Sequence, residues 1–148
     1  MELALTWLIR YGHVLGGGLW LGGYVLLVFV TLPLLATYRS ESLETLALTT
    51  VRVLTYAGTA TLAFGLVLVT RTRGFRGVTD FGEWGLIIVS CSVIAIALLG
   101  LGDGALRPAV QQLRQTGNAK PAQRFALLGL ALTVLAIGLM TRALYAVS

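Results

Sequence analysis

The chain carries little of what most enzyme chemistry needs. Its 148 residues hold only six aspartates and glutamates together, one histidine and one cysteine. The lone Cys91 excludes an intrachain disulfide framework. No carboxylate falls inside any apolar run, no glycine-rich phosphate loop follows a strand, and no serine or cysteine has a base within reach by sequence. A hydrolytic or proton-relay mechanism would lack its working groups. Charged residues are also scarce, at 11%. A composition 57% hydrophobic with a mean hydropathy of +0.87 suits a bilayer and could not be hidden inside a water-soluble domain of this size.

The net charge of +5 and a pI near 10.0 would suggest nucleic acid in a soluble protein. Here the eleven lysines and arginines stand mostly at the ends of apolar segments. They are read as contacts to lipid headgroups and as topology signals, with no nucleic-acid partner.

Four apolar runs are visible, about 3–35, 46–69, 84–101 and 125–143, each near or above the roughly 20 residues of a spanning helix, and helices are expected over about 3–35, 46–70, 84–113 and 124–145. The expected fold is all-α: a single transmembrane domain, 1–148, built as a four-helix bundle. The first run exceeds the about 7–15 residues of a signal-peptide core, so it is read as a retained span. Asp80 and Glu83 precede Trp84, where a helix N-terminus favours carboxylates. The third helix is expected to run past the bilayer as an amphipathic turn or two, with TGNAKP as its break. Arg71, Arg73, Arg76 and Arg142 would share the side of the termini. Arg39, Arg107, Arg114, Lys120 and Arg124 would share the other, a margin of one charge that places the termini outside the cytoplasm. No internal repeat is read from the sequence.

The stretch YGHVLGGGLWLGGY, residues 11–24, is the most distinctive. On a helix, Gly16, Gly17, Trp20 and Tyr24 share the face of His13, and Arg10 lies one turn before it. Six glycines between Gly12 and Gly23 cost about 1 kcal/mol each relative to alanine, which argues for close approach of a flat cofactor or of a neighbouring helix. An ionisable residue inside a span defaults to function. His13 is therefore a candidate axial ligand to haem iron. Gly16 and Gly17 would admit a porphyrin edge, Trp20 would pack on it, and Arg10, Arg142 or Arg71 would meet the propionates. The plainer alternative is a histidine hydrogen-bonded to the next helix, with Gly12/Gly16 and Gly18/Gly22 as small-xxx-small packing pairs.

Counted by rise per residue, Cys91 and Met140 fall near the depth of His13. The three would make a soft ligand set for copper, while each sulfur taken singly is ordinary packing. Arg52 is read as snorkelling to its interface, Asp103 and Arg107 as an exposed i, i+4 pair, and Ser90 and Ser92 as hydrogen-bonding within the bundle.

RYGHVLGGGLWLGGYV resembles the first helix of the CopD-like (copper resistance D) integral membrane proteins and their small relatives, and GLGDGALRPAVQQLR resembles the end of their third helix. The resemblance implies a four-helix unit that handles copper or haem. In outline the chain is also similar to the protoporphyrinogen oxidases of the HemJ type, whose helix 1 histidine is linked with haem or porphyrin. It lacks their intramembrane lysine in helix 3, where Gly85 to Ile88 stand, and only His13 is carried over.

The resulting expectation is a haem b subunit in the cytoplasmic membrane of a prokaryote. It would pass electrons to or from a quinone or a larger redox complex, among membrane lipid and other subunits or copies of itself. Copper delivery, or a cofactor-free structural subunit, is the alternative.

Overall fold

The computed structural model describes residues 1–80 and 82–146. Five helices account for nearly all of them: α1 (Glu2–Tyr38), α2 (Glu41–Arg71), the short α3 (Gly74–Thr79), α4 (Glu83–Thr116) and α5 (Lys120–Ala143). The protein is an all-α membrane bundle, and α1, α2, α4 and α5 are each long and apolar enough to span. Most of the segment 37–46 that reads as a connection is helical, leaving only Arg39 and Ser40 between α1 and α2. The arginine-rich second connection folds into α3, which the sequence pattern did not announce.

Two of the three prolines explain a shared feature of α1 and α4. Inside a helix, the proline ring collides with the carbonyl four residues back. In α1, a widened π-turn at Leu27–Thr31 precedes Pro33, and in α4 a matching π-turn at Gly102–Leu106 precedes Pro108. The wider turn takes up the missing hydrogen bond without breaking the rod. Pro121 stands in the first turn of α5, where its absent N–H would have been unpartnered anyway.

α1 packs on α2 and α5, and the Glu83–Leu101 part of α4 packs on α5 and α2, so in that half α1 and α4 occupy diagonal corners. Past the π-turns they converge, and Leu32–Tyr38 lies on Arg107–Thr116. Both helices end in a left-handed residue, Arg39 (φ 48°) and Gly117 (φ 72°). The two ends meet, with the Arg39 guanidinium over Gly117 where a Cβ would otherwise stand. Arg114 then ties α4 to the start of α2, its Nε 2.8 Å from Glu44.

Packing is uneven along the bundle axis. The converging half holds the dense core, with Leu27, Leu32, Leu35, Val51, Leu54, Leu98, Leu106, Val110 and Leu113 at 2% exposure or less. The half that carries the termini has a smaller cluster around Ile87, Cys91 and Ala146. Its rim bears the stacked rings of Trp7 and Tyr11, 5.5 Å apart and both exposed, as suits an aromatic belt at the membrane surface.

Candidate functional site: a histidine in a helix notch

α1 and α2 interlock through small residues. A Cβ at Gly12 would lie 2.8 Å from the Phe64 ring, one at Gly16 would meet Thr61 Oγ1 and stand 3.2 Å from Ala57 O, and one at Gly23 would be 2.6 Å from Leu54. With nothing on these α-carbons, the backbones close up, as small-xxx-small contacts do within membranes. α2 answers with its own small stripe, Ala57, Thr61 and Gly65, spaced four apart.

His13 is held in this seam. Its Nδ1 lies 2.8 Å from the carbonyl oxygen of Thr61. A carbonyl can only accept, so Nδ1 carries a proton, which leaves Nε2 as the nitrogen available to ligate. Gly65 makes the room: a Cβ there would stand 3.0 Å from His13 Cε1 and 3.3 Å from Nδ1. A backbone carbonyl on one nitrogen is the usual way to orient a histidine that ligates through the other. The ring is half-buried.

The residues expected to flank His13 divide into three groups. Gly16 is buried under Thr61 and Ala57, so the space beside it belongs to α2 and not to a porphyrin edge. Gly17 has nothing within 4 Å of a Cβ position and keeps open space. Trp20 is 5% exposed, its six-membered ring wedged where a Cβ on Gly58 of α2 would be, with Leu99 of α4 on the other side. Tyr24 presses onto Gly129 of α5. Both aromatic rings are thus core members that join α1 to its neighbours.

Gly18 and Gly22 face outward. With Leu19, Gly23, Thr50 and Val53 they line a groove of about 320 Å³ along the outside of the α1–α2 pair. Arg10 is exposed, as are Arg71 and Arg52. Arg142 is engaged by α4, with Nε 2.7 Å from Glu83 Oε1. Asp103 and Arg107 stand 3.9 Å apart and exposed, and Asp103 also accepts from Thr55 at 3.2 Å. Ser92 bonds the carbonyl of Ile88 in its own helix, while Ser90 is exposed.

Cys91 and Met140 do come together, in the cluster between α4 and α5, where the Cys91 thiol lies 3.7 Å from Ala136 O. His13 instead turns to α2, from a helix diagonal to α4 in this half. Similar depth is necessary for a shared site but does not fix direction around the helix axis. Among the described residues no group of three or more histidines, cysteines and carboxylates is placed to hold a metal.

Thr61 and Gly65 escaped the sequence reading. The signal for them is the Ala57, Thr61, Gly65 spacing, the complement of Gly12 and Gly16. Two buried hydroxyls also went unnoticed: Tyr24 Oη and Thr31 Oγ1 are fully buried without a hydrogen-bond partner among the described residues. Other helical threonines, such as Thr50, Thr61 and Thr133, donate to the carbonyl four residues back. Thr31 sits in the π-turn, where that geometry is lost.

No protein-family model, no curated protein and no solved structure matches this chain.

Proposed function

We propose that this protein is a haem b-binding membrane subunit that carries electrons between a quinone or redox partner and a larger membrane assembly, with His13 Nε2 as the iron's ligand from this chain. The observation that carries the reading is the hydrogen bond from His13 Nδ1 to Thr61 O, which selects the tautomer and aims the ring. A bound haem would supply a one-electron centre that the side chains themselves cannot provide. The residues of the chain hold and orient: Thr61 fixes the imidazole, Gly65 admits it, and the open space at Gly17 is the part of the glycine stretch left for a flat ring.

The resemblance read in the first helix to CopD-like proteins, and in outline to the HemJ type, would fit this reading. A prokaryotic cytoplasmic membrane would be its setting. Copper delivery has less support, since Cys91 and Met140 belong to one cluster between α4 and α5 while His13 faces α2. Purification after haem-sufficient expression, followed by a pyridine haemochrome spectrum, tests the proposal. A Soret band that disappears in His13→Ala supports it; wild-type protein without a Soret band overturns it and leaves the structural-subunit alternative.

A further inference from the structure

A second feature lies on the face of the bundle next to the α1–α2 seam, between α2 and α4. Leu66 and Val69 of α2 and Ile88, Val89, Val93 and Ile96 of α4 line a groove of about 180 Å³. Phe75 and Val78 of α3 close its end at the membrane surface that bears the termini. The only hydroxyl in the wall, Ser92, is turned to Ile88 O, so the lining is apolar throughout. Val93 and Ile96 are each 61% exposed, and the groove therefore opens sideways into the surrounding lipid.

The charge around its closed end is mainly positive. Arg71 follows Val69 by two residues, Arg76 is next to Phe75, and both are exposed. Among the described residues neither is in an ion pair. The other nearby charges are accounted for. Arg73 donates to Ala146 O at 3.0 Å and lies 5.4 Å over the Trp84 ring, Arg142 and Glu83 hold each other, and exposed Asp80 ends α3. Arg71 and Arg76, exposed and in no ion pair among the described residues, thus adjoin the residues that close an apolar slot, with Asp80 at the far end of α3 as the one nearby carboxylate that is also in no ion pair.

We infer that this groove is a binding site for one anionic phospholipid, with an acyl chain lying between α2 and α4 under Phe75 and Val78 and the phosphate held by Arg71 and Arg76. A flexible chain can end beneath α3 and turn its headgroup out to the arginines. A partner helix running the length of the groove would instead strike α3. Arginine suits the phosphate because its planar fork can give two hydrogen bonds at once. Basic pockets at helix ends are where anionic headgroups are selected over zwitterionic ones.

The test is native mass spectrometry of the purified full chain after equilibration with equal amounts of phosphatidylglycerol and phosphatidylcholine carrying identical acyl chains. Wild-type protein is expected to retain phosphatidylglycerol in preference, and Arg71→Gln with Arg76→Gln to lose that preference by about fivefold per arginine removed. Val93→Trp, at an exposed lip where folding is not at stake, should fill the slot and reduce retention of both lipids. Excess glycerol phosphate, which has the headgroup without the chain, should displace neither. Equal retention of the two lipids by wild type, an unchanged preference in the double glutamine variant, or release by glycerol phosphate would each overturn the inference. So would recovery of a quinone instead of a phospholipid from the groove, lost on Val93→Trp. None of these outcomes depends on haem.

Discussion

The imidazole of His13 lies so close to Gly65 that a Cβ at residue 65 would stand 3.0 Å from Cε1 and 3.3 Å from Nδ1. α2 therefore positions the histidine twice, by a carbonyl that accepts its proton and by a missing Cβ that lets it in.

Gly65→Val should disturb that arrangement while leaving residue 13 a histidine. The added branches must push on Cε1 and Nδ1, at a cost of about 1–3 kcal/mol in a packed seam. Haem content is expected to fall and the Soret maximum to shift, while Gly65→Ala gives a smaller change of the same sign. A wild-type spectrum from the valine variant would show that the notch does not orient the ring.

The glycines of α1 should sort by what they touch. Gly16→Ala places its methyl against Thr61 and Ala57 O, so it should lower the melting temperature in detergent by an amount equivalent to about 1–3 kcal/mol. Gly17→Ala meets nothing and removes a weak helix former, so stability should hold or rise by up to about 1 kcal/mol. Gly17→Leu reports on the cofactor instead, and a full Soret band there would remove porphyrin from this face. Gly22→Leu, in the outer groove, should change oligomer size alone if copies of the chain associate there.

The orphaned hydroxyls give the opposite sign. Tyr24→Phe and Thr31→Val each delete a buried polar atom that has no partner among the described residues and keep the shape that fills the core. Each should raise thermal stability by about 1 kcal/mol, because an unsatisfied buried group costs about that much or more. A clear loss of stability in Tyr24→Phe would mean that its hydroxyl is bonded in the membrane, for instance to an ordered water.

Arg142→Gln should do little. The pair with Glu83 is open to solvent, at 61% and 46% side-chain exposure, and such pairs contribute about 0–1 kcal/mol. The haemochrome spectrum should also stay as it is, since Glu83 already occupies the guanidinium. A large loss of haem in this variant would restore Arg142 as a propionate partner.

The all-α bundle was legible because bilayer-length apolar runs leave one economical fold, and helix ends at Thr116 and Lys120 follow from the turn-forming residues between them. Direction around each helix was not. His13, Cys91 and Met140 were grouped by counting residues along three helices, which gives height and says nothing about which neighbour a side chain faces. Gly16 and Gly17 are likewise neighbours on a helical wheel, yet a rotation of 100° is enough to bury one and free the other. That difference is set by α2, through Thr61 and Ala57, and pairing between helices is not written in the α1 pattern alone. The π-turns are partly readable afterwards from Pro33 and Pro108, although a proline equally permits a kink.

The close seam between α1 and α2 bears on how the chain is made. The seam and the two contacts that seat His13 come from the first 71 residues: Gly12, Gly16 and Gly23 on one arm of the hairpin pack on Phe64, Thr61, Ala57 and Leu54 of the other, and Thr61 and Gly65 hold the ring. In the two-stage view of membrane assembly, spans insert first and then associate. This hairpin has all it needs to close while α4 and α5 are still being synthesised. The histidine would be oriented in a nascent half-protein, and any cofactor it takes could arrive before the second hairpin docks.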